Sequence, residues 1–389
     1  MIEPTWSDVE SAVREIDPAD IAGARWYGAK GRAIERVAPV EAFDLGAGAV
    51  LAVVEVAAAG GPPGRYLLPL RGAAGGLRQA VEGDGTWRGL AVAVAEGRTV
   101  PSLRRPATPT GVPGPVSAAL VCRPAAALRD LAPGGADEVA SLPERPLGLD
   151  QSNTSVVLGE RLLLKAYRRV ETGLNPDLEL NAYLAEEVGF GAVPRLAGYA
   201  EMVSVEGAST VAIVQEFVVD AADAYESLAE QLAAWILAPG EVTVEFATEV
   251  AAELGSLTAA LHAALATSSG VPGFSPREAT RAELRAWRRA AVRQLQRAVD
   301  LVRGPDGEAL RAMAPAIAEQ LTVLEALPSV PLVTRVHADF HLGQVMSTPD
   351  GFRIIDFEGE PTRPLEERRA HNSPLRDVAS MLRSIDHAG

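Results

Sequence analysis

Residues 333–358 hold the densest set of groups able to do chemistry. They read Val-Thr-Arg-Val-His337-Ala-Asp339-Phe-His341-Leu-Gly343-Gln344-Val-Met-Ser-Thr-Pro349-Asp350-Gly351-Phe-Arg-Ile-Ile-Asp356-Phe357-Glu358. A short run from Val333 to Val336 ends in polar groups, and a second β-rich run through Phe352, Ile354 and Ile355 ends in an acid. Pro349-Asp350-Gly351 is a turn signal: proline presets φ, and aspartate and glycine tolerate the turn conformations. The hairpin this predicts brings Asp339 and Asp356 close together, with Gln344 beside them. Two carboxylates and an amide oxygen at one spot form a hard-oxygen site suited to Mg²⁺. Two other readings of the same residues stay open here. His337-x-Asp339-x-His341 on one strand face would suit a transition metal and hydrolysis, and a structural turn with satisfied histidines needs no chemistry at all.

The elements that must position these groups lie upstream. Leu147 to Tyr167 predicts a strand, a Gly159-Glu160 turn and a second strand ending at Lys165. Gln151, Ser152, Asn153, Thr154 and Ser155 precede the first strand, and small polar residues at a hairpin mouth can hydrogen-bond phosphate oxygens. A helix follows, with Asn175 as its cap, Pro176 in its first turn and Gly189 at its end. Leu180, Tyr183 and Leu184 form its buried stripe. Val211 to Val218 predicts a buried strand running into a polar connection at Glu216 and Val218. From Ala224 to Leu327 the pattern is helical, and Thr248 to Leu265 is amphipathic, with His262 as a packed or capping residue. Ser373-Pro374 starts a last helix with Leu375, Val378, Met381, Leu382 and Ile385 expected inward.

The N-terminal hundred residues mix a helix at Trp6–Ile16 with strands at Ala49–Val56 and Arg65–Arg71. Arg25-Trp26-Tyr27-Gly28-Ala29-Lys30-Gly31-Arg32 lies between them as a glycine-punctuated loop, and a proline-rich linker runs from Pro101 to Pro115.

The spacing of Asp339 to Gln344, followed by Asp356-Phe357-Glu358, resembles the phosphotransferase catalytic core. Protein kinases there place an aspartate, four residues and an asparagine, then Asp-Phe-Gly. Glutamine at the amide position and glutamate in place of glycine are similar to the bacterial maltokinases, relatives of the aminoglycoside phosphotransferases. The Arg25–Arg32 loop resembles the start of the same family. Asp356 to Glu360, Arg368 and Ser373 to Ser384 look like maltokinases and the related actinobacterial glucosamine kinases.

The resemblance implies an α+β, bilobal protein-kinase-like fold with an additional N-terminal α/β cap domain. Its expected division is a cap over 1–100, an N-lobe over 101–217 and a mostly helical C-lobe over 218–389. It also implies ATP and Mg²⁺ as cofactors and γ-phosphoryl transfer to a sugar. The expected acceptor is D-glucosamine, giving glucosamine 6-phosphate, with maltose or a silent nucleotide-binding pseudokinase as alternatives. Asp339 is then the catalytic base. The nucleotide is expected on Gln151 to Ser155, Lys165, Glu179 as the helical partner of that lysine, and the hinge at Glu216 and Val218. Metal is expected on Gln344, Asp356 and Glu358. Sugar is expected on Asp339, His341, Glu358, Glu360, Asp377 and Arg383, whose acids would suit an ammonium.

Composition agrees with a small-molecule enzyme. At 389 residues the chain is long enough for two or three domains. A formal net charge of −15 argues against a nucleic-acid partner. Cys122 is alone, no export signal is read at Met1 to Thr5, and no apolar stretch is long enough for a bilayer, so a cytoplasmic protein without membrane partners is expected. Lys30 and Lys165 are the only lysines in an arginine-rich chain, which makes both suspects for a function that needs a compact ammonium; a structural role in the cap is expected for Lys30.

Overall fold

The computed structural model describes residues 3–104, 117–148, 152–238 and 245–388, which leaves Gln151 and most of the proline-rich linker outside the described residues. The chain opens with α1 (Trp6–Arg14) and α2 (Pro18–Gly23). Thr5 and Asp8 cap α1 reciprocally, each side chain accepting from the other's backbone N–H. Lys30 donates to the carbonyls of Ala22, Gly23 and Ala24 at 3.4, 3.1 and 2.6 Å, closing the end of α2. These contacts agree with the structural role expected of it.

Strands β1 (Ile34–Gly46), β2 (Ala49–Ala58), β3 (Gly64–Ala73) and β4 (Gly76–Gln79) follow as an antiparallel sheet in that order. Both faces of this sheet are covered, which is why β2 is apolar almost throughout. Val50, Ala52 and Val54 pack with Val9, Val13 and Ile21 from the first helices. Leu51 and Val53 enter a second core with Trp87 and Leu90 of α3 (Thr86–Ala95).

That second core is shared with the next layer, so the N-terminal unit and the first lobe are fused through α3. The lobe comprises β5 (Thr99–Pro101), β6 (Ala118–Pro124), α4 (Leu128–Leu131), α5 (Gly135–Ser141), β7 (Glu144–Pro146), β8 (Thr154–Leu158), β9 (Leu162–Ala166), α6 (Pro176–Ala182), β10 (Leu196–Ser204) and β11 (Gly207–Glu216). Its seven strands run in the order β5-β6-β10-β11-β9-β8-β7. Gly198 lets β10 approach α3: a Cβ there would sit 2.5 Å from Val94 Cγ1 and 2.6 Å from the Arg123 carbonyl oxygen.

The second lobe is mostly helical. It contains β12 (Ala222–Asp223), α7 (Ala224–Leu237), α8 (Glu245–Leu265), β13 (Arg277–Glu278), α9 (Arg281–Leu301), α10 (Gly304–Gln320), α11 (Val323–Ala326), β14 (Leu332–Val333), β15 (Val345–Thr348), β16 (Gly351–Ile354), α12 (Leu365–Arg368) and α13 (Leu375–Ala388). The predicted hairpin at Pro349-Asp350 is β15–β16, with Val345 opposite Ile354. Leu180, Tyr183 and Leu184 of α6 and the π turn after it pack with Leu228, Leu261, Phe340, Phe357 and Met381, so α6 belongs to both lobes.

On α13 Met381 is buried and Ile385 packs on the core, but Leu375 and Leu382 are exposed, contrary to expectation. At 100° per residue, positions 377, 378, 381 and 385 share one face, while 375 and 382 fall on its flank. The charged residue in that stripe, Asp377, is fully buried.

Candidate active site

Two hairpins and one helix meet around Lys165. Gly159 and Glu160, with φ of 58° and 52°, make the tight turn that folds β8 onto β9. The register sets Ser155 opposite Lys165, so the small polar residues lie at the mouth beside the lysine. The Lys165 Nζ is 2.8 Å from Asp177 Oδ2, 2.6 Å from Asp356 Oδ1 and 2.8 Å from Glu358 Oε1. Burial opposes the lysine's charge, but the three carboxylates outweigh it and hold the ammonium well above the usual lysine range.

The helical acid on Lys165 is therefore Asp177, not Glu179. Asp177 is almost fully buried at the start of α6, where Asn175 caps the helix by accepting from its N–H. One oxygen accepts from Lys165 and from the Tyr167 hydroxyl at 3.0 Å, and the other from the Phe357 N–H at 3.0 Å. Glu179 is turned toward the other lobe. It pairs with Arg335 at 2.9 Å and takes both arms of Arg369 at 2.8 and 2.9 Å. Two residues along a helix are rotated by about 200°, so only one of these acids can face the lysine.

Asp356 follows β16 with φ of 63°, a left-handed conformation that aspartate tolerates better than most residues. Burial pushes its carboxyl up, but the Lys165 ammonium outweighs this and keeps it below the ordinary range. Glu358 is pushed up to about 7 by burial and by the charges of Asp356 and Asp177, against the pull of Lys165. Its carboxylate also accepts from the Asn153 amide, tying the polar loop to the acidic cluster. Carboxylate oxygens of Asp177, Asp356 and Glu358 lie within 4.8 Å of one another. Three hard oxygens against one ammonium fit a divalent cation such as Mg²⁺. Gln344 sits at the same end of the hairpin, its backbone oxygen accepting from Ile355 and its amide 3.4 Å from the His341 ring.

The Asp339 loop is held from behind. Asp377 accepts from the His337 N–H and the Ala338 N–H, both at 2.9 Å, and lies 3.1 Å from His262 Nε2. Ala338 adopts φ of 71°, a strained angle for alanine that this clamp sustains. The His337 ring contacts Phe357, and its Nε2 donates to the Ile355 carbonyl at 3.0 Å, joining the loop to the residues around Asp356. Asp339 itself is half-buried, close enough to Arg376 for their charges to interact.

The expected sugar residues divide. Asp339 and Glu360 both neighbour Arg376, and Glu360 also pairs with Arg363 at 2.5 Å. Asp377 is corrected from a sugar ligand to a buried loop anchor, since its oxygens are consumed by backbone and His262. His341 caps the 3₁₀ turn at Leu342–Gln344 by accepting from Gly343 N–H at 3.1 Å. Arg383 is exposed on α13. At the expected hinge the Glu216 carboxylate is taken by Arg195 at 3.1 Å, and its backbone N–H donates to the Arg195 carbonyl at 2.9 Å. Asp177, Arg335, Arg369 and the anchoring role of Asp377 were missed. A buried acid inside the apolar stripe of α13 was the one signal available for the last.

Residues 144–388 match the phosphotransferase enzyme family, known as APH, and residues 21–98 match the maltokinase N-terminal cap domain. The chain belongs to the phosphotransferase enzyme family. The glucosamine kinase of Streptacidiphilus jiangxiensis is 35% identical over 396 residues, spanning 99% of this chain and 80% of that protein. The glucosamine kinase of Mycolicibacterium smegmatis is 28% identical over 63% of this chain and 59% of its own length. Among solved structures, a glucosamine kinase in complex with glucosamine, ADP and inorganic phosphate superposes with a TM-score of 0.70 at 28% identity, covering 100% of this chain and 80% of that one. The bilobal fold with an N-terminal cap is thus the family's, and for the chain as a whole phosphotransfer stands over hydrolysis.

Proposed function

We propose that this family member is an ATP-dependent sugar kinase that transfers the γ-phosphoryl group to D-glucosamine, giving glucosamine 6-phosphate. One observation carries the reading: Lys165, Asp177, Asp356 and Glu358 converge in the core of a chain that aligns almost end to end with a glucosamine kinase. In this reading ATP phosphates lie against Ser152 to Ser155 and draw Lys165 from its acids, and the backbone at Glu216 to Val218 faces the base. Asp356 and Glu358, with Gln344 beside them, hold Mg²⁺, which when bound neutralises charge on the phosphates.

Asp339 orients the sugar hydroxyl and accepts its proton, with positioning and electrostatics supplying most of the rate. Glu360 is balanced by Arg363 and Arg376, so it offers the sugar a hydrogen-bond acceptor rather than net charge. The intact set of Lys165, Asp339 and Asp356 supports turnover over a silent binding role. ADP release measured on glucosamine, glucose and maltose side by side tests the substrate. The highest kcat/KM is expected on glucosamine, and a clear preference for maltose would overturn the assignment.

A further inference from the structure

Four cationic side chains are buried among the described residues: Lys165, Arg168, Arg335 and Arg368. Lys165 has three acids, Arg335 has Glu179 and Arg368 has Glu171. Arg168 alone has no carboxylate among the described residues. It is 6% exposed, donates to Thr154 Oγ1 at 3.2 Å, lies 4.6 Å over the Trp26 ring, and has a buried Nε without a partner. A buried charge without its counter-ion is costly, so one that finds no acid among the described residues points to an anion bound from outside.

The place supplies that reason. Side chains alternate along β9 and the residues after it, so Arg168 lies with Thr154 on the face away from Lys165. There it meets the cap: Arg168 accepts through its carbonyl from Leu67 N–H at 2.7 Å, and its neighbour Arg169 bridges Tyr66. Between cap and lobe is a cavity of about 490 Å³, lined by Trp26, Trp87, Thr154, Ser155 and Arg168. Glu82 is the one carboxylate on its described lining and is exposed. A guanidinium edge, a hydroxyl and two indoles, with Glu82 the one acid on the described lining, suit a phosphate group. Burial alone brings the Arg168 guanidinium down to about 10, which leaves it charged at neutral pH.

We propose that this cavity is an anion site, separate from the transfer site, that takes the phosphate group of inorganic phosphate or of a small sugar phosphate. Its occupation is felt by the Asn153–Ser155 loop through Thr154. That second statement rests on reading the loop as the phosphate loop, whereas the site itself does not.

The test keeps the transfer site filled with a non-hydrolysable ATP analogue and Mg²⁺. Inorganic phosphate and glucosamine 6-phosphate are titrated separately at millimolar concentrations, with tryptophan emission and melting temperature as readouts. A saturable emission change and a rise in Tm are expected for at least one of them. A response to inorganic phosphate identifies the free anion, and one confined to the sugar phosphate identifies the product. Both responses should be lost in Arg168→Met, which should be no less stable than the wild type in phosphate-free buffer because it removes an unpaired buried charge. Arg168→Lys, which keeps charge but loses the fork, should bind more weakly and serves if the methionine variant fails to fold. No response in the wild type, or an equal one in the variants, would overturn the site. Failure to phosphorylate glucosamine would sink the proposed activity while leaving this titration's outcome intact.

Discussion

Asp339 stands in a loop whose two preceding N–H groups are gripped by Asp377, so its carboxylate is held in place without forming an ion pair among the described residues. Asp339→Asn keeps the shape and removes the proposed proton acceptor. A loss of about 10²–10⁴-fold in kcat is expected, with ATP affinity measured by calorimetry preserved; wild-type turnover would remove Asp339 from the role. Asp177 is the acid that sets Lys165, sharing it with Asp356 and Glu358. Asp177→Asn should therefore raise KM for ATP and lower kcat together, read from initial rates. Both residues lie in motifs visible in the sequence. The choice of Asp177 over Glu179 was not visible, because helix phase relative to Lys165 depends on how α6 docks.

At the scale of elements, local rules account for most boundaries. Asn175-Pro176 starts α6, Gly159-Glu160 turns β8 into β9, and Pro349-Asp350 turns β15 into β16. The start of α9 is a capping box of Thr280 and Glu283, and Arg277 holds the same carboxylate at 2.6 and 3.0 Å. These bonds, the Arg277 contact foremost, lower the Glu283 carboxyl from 4.5 to about 2. A depressed folded-state value stabilises above the unfolded value and is lost as pH falls through the folded one. Glu283→Gln should cost about 1 kcal/mol near neutral pH. The gap in Tm from the wild type, followed by circular dichroism, should shrink as pH drops from 4.5 toward 2. A gap that is constant with pH would mean the carboxylate's charge contributes nothing.

At the scale of the molecule, one short helix bonds to both lobes, beside the direct contacts of Lys165, Asn153 and Glu171 with the second lobe. Asp177 on α6 bonds Lys165 and the Phe357 N–H, and Glu179 on α6 holds Arg335 and Arg369. Burial opposes the Glu179 charge, but the two arginines outweigh it and hold the carboxyl below its ordinary range. Glu179→Gln would strand the buried Arg335 and should destabilise by about 3–5 kcal/mol, measured by urea unfolding. An unchanged midpoint would show that Arg335 does not depend on this acid. The cap joins the same body through the α3 core, and a boundary drawn at residue 100 falls inside β5, a strand of the first lobe's sheet.

What the sequence determined alone was whatever depends on neighbours along the chain: turn chemistry, helix caps, strand runs, and the order of polar loop, lysine, helical acid, hinge, Asp339 and Asp356. Those signals, through the family they resemble, were enough for the fold class and the reaction class. The tertiary structure decided which acid meets Lys165, that Asp377 anchors a loop 40 residues away instead of binding sugar, and that Arg168 has no counter-charge among the described residues. Each of these turns on the burial and pairing of charges that the chain separates widely. A charge's partner is set by packing in three dimensions, to which local sequence is blind.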